Sequence, residues 1–188
     1  MADQEQLIHK LKDMQLEYSD TWIEYWQRYS DFNTWQFWVI GALLLVPLIA
    51  IYFFIDRKRA LLIGFYGLNV HVWFTYTDTL GGNRNLWFYP YKVFPFLPTN
   101  FALDVSFIPV SFMLVYQWTV KRKKNYYGYG LLLCAFLAFI FKPILSMIGI
   151  FELDRGATYI HLFAGYISVM LVSKWLTNLF VYFERKAA

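Results

Sequence analysis

Asp78, Asp104, His71, His161, Glu152 and Lys142 stand within or beside long apolar runs. An ionisable group in such surroundings needs a partner or a purpose, because stripping water from a charge is costly. His71, Thr75 and Asp78 are four and three residues apart, which lines them along one face of a helix. Asp78 falls near one end of its helix, and Asp104 and His161 each fall one turn into later helices at the same depth. Glu152 borders that side too. His71 lies roughly 10 Å deeper, from about 1.5 Å of rise per helical residue. Two carboxylates with one or two imidazoles can ligate a divalent metal, share a proton, or grip a polar lipid headgroup. Plainer roles stand beside these: Asp104 answers a helix dipole, Asp78 is interfacial, and His161 bonds a nearby carbonyl. The expected polar site is therefore His71, Asp78, Asp104, His161 and Glu152, with no metal and no cofactor assigned.

Lys142 directly precedes Pro143 and lies too deep to snorkel, so pairing with a carboxylate of the bundle is expected. Pro109 frees the carbonyl of Val105, next to Asp104, for Ser106, water or a ligand. Cys134 reads as a small buried hydrophobe, and one cysteine excludes an intrachain disulfide. No nucleotide-binding loop, nucleophile elbow or HExxH motif is present, nor a basic patch suited to nucleic acid.

The elements that must position these residues are membrane helices. Of 188 residues, 59% are apolar and only 16% charged, against about a quarter charged in soluble domains. The expected fold is all-α: a five-helix transmembrane bundle over 35–182, behind an amphipathic helix over 1–34. The spans fall at about 36–55, 60–80, 101–120, 127–150 and 158–180, with Pro47 kinking the first. In the amino-terminal helix Leu7, Leu11, Met14, Tyr18, Trp22, Tyr25 and Tyr29 form one stripe. It suits a helix lying on the bilayer or on the protein, or one pairing with a partner. Gly81-Gly82-Asn83 is expected to break the second span. Residues 81–100, with Pro90, Pro95 and Pro98 among aromatics, read as an interfacial or re-entrant segment. Glu152 to Gly156 reads as a tight turn.

Arg57-Lys58-Arg59, Lys121-Arg122-Lys123-Lys124 and Arg185-Lys186 follow the first, third and fifth spans. Alternate ends share a side, and the positive-inside rule makes that side cytoplasmic. The carboxyl terminus is then cytoplasmic and the amino terminus outside. The acidic start lacks a basic leader, so the first span is expected to direct insertion. Anionic lipid contact is a second use for the basic clusters.

Asp78, then Leu86-Trp87-Phe88-Tyr89-Pro90, then Asp104 with Ile108-Pro109-Val110, then Met113-Leu114-Val115-Tyr116-Gln117, make up a combined pattern. From about Trp35 to Lys174 the chain resembles a family of small multipass membrane proteins of Gram-positive, endospore-forming bacteria. That resemblance implies a cell-envelope setting, with Trp87, Tyr89, Pro90, Pro109, Tyr116 and Gln117 as its motif residues, and carries no activity. A fainter likeness is to carotenoid-cyclase membrane domains. The paired glutamates it would require after proline are absent, since Pro98 is followed by Thr99-Asn100.

Three functions are compatible with these residues. One is a non-enzymatic envelope scaffold or lipid-binding accessory protein, linked to sporulation by the family resemblance. Another is an enzyme acting on an isoprenoid or lipid through Asp78 and Asp104. A third is a transporter or channel subunit. The expected partners are membrane lipids and a second copy or another membrane protein.

Overall fold

The computed structural model describes residues 2–97 and 99–187; Pro98 lies outside the described residues. Six helices follow in order: α1 (Ala2–Tyr29), α2 (Trp35–Phe54), α3 (Ala60–Asn83), α4 (Ala102–Arg122), α5 (Tyr126–Met147) and α6 (Tyr159–Ala187). β1 (Trp87–Phe88) and β2 (Glu152–Leu153) pair antiparallel, Trp87 opposite Leu153 and Phe88 opposite Glu152.

α2, α4, α5 and α6 are long and apolar enough to cross a membrane. α2 buries only Ile40 and exposes Leu45, Val46, Ile49 and Phe53, as a helix immersed in lipid does. α3, expected as the second of five spans, is less apolar and is not among these four. Its buried residues Ile63, Tyr66, Val70, Phe74, Asp78 and Gly81 recur every three or four positions, with Gly67 beside Tyr66. That stripe packs against α4 and α6, while α2 leans on the start of α4 and α5 closes against α4 and α6. Asp78 is thus carried inward on the same face as the core aromatics.

Two helices widen before a proline. Residues 102–107 of α4 form a π-helical turn in which the Ile108 N–H reaches Leu103 O; Pro109 follows. Residues 137–141 of α5 do the same, with the Lys142 N–H on Leu137 O, before Pro143. Proline cannot donate to the carbonyl four residues back and crowds it, so the preceding residue reaches one carbonyl further.

Several expected boundaries move. The Gly81-Gly82 pair does not end α3, which runs to Asn83 because a ring packs on Gly81. α5 stops at Met147, three residues short of the expected 150, and the chain turns at Gly149 with φ +73°. The expected turn at Glu152–Gly156 begins as strand β2 and turns at Arg155 and Gly156, both with positive φ.

The basic clusters gather at one end. The Gln117 side chain accepts from the Asp56 N–H at 2.6 Å and donates to Phe54 O at 2.9 Å, tying α4 to the α2–α3 turn. Arg57–Arg59 face Thr177–Glu184 of α6 across a groove. At the opposite end the chain between α3 and α4 forms a cap, held by the end of α1 through Trp22, Trp26 and Ser30.

Candidate functional site: a buried charge cluster under the cap

Asp78, Asp104, Lys92 and Lys142 are all buried, with exposures of 5%, 1%, 3% and 1%. Two carboxylates oppose two ammonium groups, so the cluster is formally neutral. Asp78 and Lys142 do not touch. The Tyr89 hydroxyl stands between them, donating to Asp78 Oδ1 at 2.8 Å and accepting from Lys142 Nζ at 2.7 Å. Trp87 Nε1 donates to the same Oδ1 at 2.9 Å. Lys142 Nζ also lies 4.0 Å from the Phe151 ring centre and 4.6 Å from that of Tyr89. Such cation–π contacts replace part of the lost hydration.

Lys92 completes the cluster from the cap. Its Nζ donates to Leu97 O at 3.1 Å and lies 3.9 Å from the Trp22 ring centre. Its main chain is held from α1: Trp26 Nε1 donates to Lys92 O at 2.8 Å, and the Lys92 N–H donates to Ser30 Oγ. Trp22 stacks on Phe88. Burial lowers the Lys92 pKa to about 8, against the opposing pull of Asp78 and Asp104. Burial likewise raises the Tyr89 hydroxyl well above its ordinary value, helped by the charges of Asp78 and Asp104. Tyr89 therefore keeps its proton and remains a donor.

Asp104 enters on the widened turn of α4. Neither of its carboxylate oxygens has a hydrogen-bond partner among the described residues, and Asp78 Oδ2 and Asn100 Oδ1 are in the same position. The electrostatic reach of Lys92, Lys142 and Asp78 extends to it. Thr99, Lys142 and Lys92 offset part of the cost of burying this carboxylate, and desolvated oxygens short of donors remain costly.

The expected polar site is gathered only in part. His71 bonds the main-chain oxygen of Asp104 through Nδ1 at 2.8 Å, so it touches that segment but not its carboxylate. His161 shares a cavity of about 40 Å³ with Asp78, Lys142 and Tyr166. Its Nδ1 accepts from the Thr158 N–H at 3.0 Å, so His161 caps α6. The carbonyl partner expected for His161 is replaced by this cap. Glu152 is exposed on β2 opposite Phe88. Its charge helps raise the pKa of Tyr25, after burial and Tyr91. Ser106 turns away from the Val105 carbonyl to donate to Leu44 O at 2.6 Å. The carboxylate pairing expected for Lys142 is not direct: Tyr89 stands between it and Asp78.

The motif residues resolve into fastenings. Trp87 and Tyr89 hold Asp78, Pro109 follows the turn that delivers Asp104, and Gln117 ties two helices. Tyr116 packs with Tyr66 and Tyr126, whose hydroxyls are hydrogen-bonded to each other, under the Lys174 ammonium. Sequence reasoning did not place Lys92 in the cluster. Its signal was a lone lysine inside the aromatic-proline segment.

Asp78 also lines a second cavity of about 60 Å³ with Trp22, Asn83, Asn85 and Lys92. Among the described residues no group of three or more His, Cys, Asp or Glu is arranged to hold a metal ion. No family model, curated protein or solved structure matches the chain. Four candidate membrane-spanning helices suggest a multi-pass membrane protein.

Proposed function

We propose that the chain is a non-enzymatic membrane scaffold of the cell envelope, in which the charge cluster locks a folded cap onto the bundle. The carrying observation is the Lys142–Tyr89–Asp78 chain of bonds, which joins α5, the cap and α3 inside a space too small for a substrate. Cavities of about 40 and 60 Å³ border Asp78, whereas sites for drug-sized ligands run to roughly 300–1,000 Å³. That disfavours an isoprenoid or lipid substrate at Asp78. The cap in turn grips Trp22, Trp26 and Ser30, leaving Leu7, Leu11 and Met14 of α1 exposed to lipid or a partner. The gathering of the basic clusters at one end supports a cytoplasmic carboxyl terminus and an outer cap.

A second reading rests on the same bonds. Lys142, Tyr89 and Asp78 form an unbroken donor–acceptor line that a proton could follow in a transporter subunit. Reconstitution separates the two. The scaffold reading expects no proton flux across liposomes carrying the wild-type chain, and protease cleavage within 84–101 once Asp78→Asn or Tyr89→Phe loosens the cap. Wild-type flux abolished by Asp78→Asn, with the cap still resistant, would establish transport instead.

A further inference from the structure

A groove of about 610 Å³ lies at the basic end, between the start of α3 and the end of α6. Its rim is Arg57, Lys58 and Arg59, all exposed, and none is ion-paired among the described residues, where the one salt bridge is Arg28–Glu24. Its wall is apolar. Phe65 and Phe180 meet there with ring centres 5.0 Å apart, and Leu61 is 92% exposed. Glu184 lies on the far side, and Asp56 is engaged in capping the Lys58 N–H at 3.1 Å. Three cations against the one carboxylate lining the groove leave it positive.

We propose that this groove binds an anionic diacyl phospholipid. Its phosphate meets Arg57–Arg59, and an acyl chain runs down the Leu61, Phe65 and Phe180 wall. The argument is complementarity of two kinds in one place. A free anion would satisfy the rim but leave the apolar wall in water. A neutral lipid would cover the wall but leave three cations unanswered. The rim begins three residues past the end of α2, so it stands at headgroup depth. Guanidinium groups also suit phosphate geometry. The proposal does not rest on the scaffold reading, because the groove and the charge cluster lie at opposite ends of α3.

Each cation beside an anionic surface is worth about a fivefold preference. Opposed by Glu184, the three together should give at least about tenfold. The full chain, purified in detergent and mixed with equal phosphatidylglycerol and phosphatidylcholine, is read by native mass spectrometry. The expected result is at least tenfold enrichment of phosphatidylglycerol, lost in R57Q/K58Q/R59Q and retained in K121Q/R122Q/K123Q. Val181→Trp, which fills the groove without changing charge, should lower the enrichment too, and decides the matter if the triple variant fails to fold. Equal retention of both lipids, enrichment unchanged by Val181→Trp, or displacement of the lipid by millimolar inorganic phosphate alone would overturn the proposal.

Discussion

Gly81 and Trp87 occupy one space: a Cβ on Gly81 would fall inside the indole that reaches past it to Asp78. The glycine keeps a helical conformation, so its use is steric. Gly81→Ala should push the indole off Asp78 Oδ1, combining overpacking with a lost charge-assisted bond, for about 2–4 kcal/mol. Unfolding in detergent micelles would measure it. Gly82→Ala is the control, because nothing lies near a Cβ there. Equal stability of the two variants would contradict this packing.

Removing one charge should hurt more than removing two. Lys142→Met leaves Asp78 and Asp104 facing Lys92 alone, and breaking a buried charge set from one side costs about 3–5 kcal/mol. Asp78→Asn in the same chain keeps an acceptor for Trp87 and Tyr89 while cancelling the excess charge. The double variant should therefore recover at least half of the loss, measured in the same unfolding assay. Additive losses would mean that Asp78 and Lys142 are not coupled.

Gln117 uses both ends of its amide. Gln117→Leu orphans the Asp56 N–H and the Phe54 carbonyl together, for about 1–3 kcal/mol. Gln117→Glu keeps the acceptor and loses the donor, so it should be the milder change. Hydrogen exchange at residues 54–58 would report the loosened turn, and unchanged protection there would refute the role.

Lys92 gives a pH dependence of definite sign. Its pKa is about 8 in the fold against 10.5 when unperturbed, so the fold disfavours the charged form. The penalty is fully present below pH 8 and disappears as pH rises toward 10.5. Wild type should therefore gain stability relative to Lys92→Met over that interval, by up to about 1.4 kcal/mol per pH unit. A flat difference between the two proteins from pH 7.5 to 10 would show that Lys92 is not desolvated as described.

α2, α4 and α6 were legible because their apolar runs end at basic clusters, a signal that depends only on local sequence. The stripe on α1 was legible too, although its partners were not. Trp22 meets Phe88 and Lys92 across more than sixty residues of chain. Asp78 and Lys142 could be recognised as groups needing partners, yet the linker, Tyr89, could not be read off, because spacing between helices is set by tertiary packing. The buried indole and phenol of the Leu86–Pro90 stretch held the missing hint, since such groups need an acceptor when buried. Gly81-Gly82 misled because propensity says break, while tertiary contact with Trp87 favours continuing the helix.

The widened turns of α4 and α5 each hold one residue more than the α-turn they replace. Deleting a residue from ordinary α-helix rotates everything beyond it by about 100° and turns its buried face outward. A deletion within 102–107 or 137–141 can instead relax to regular helix, leaving both flanks in phase. These two crossings thus tolerate shortening at addresses that coincide with the delivery of Asp104 and Lys142. The charge cluster could be dismantled one residue at a time without unravelling the helices that carry it.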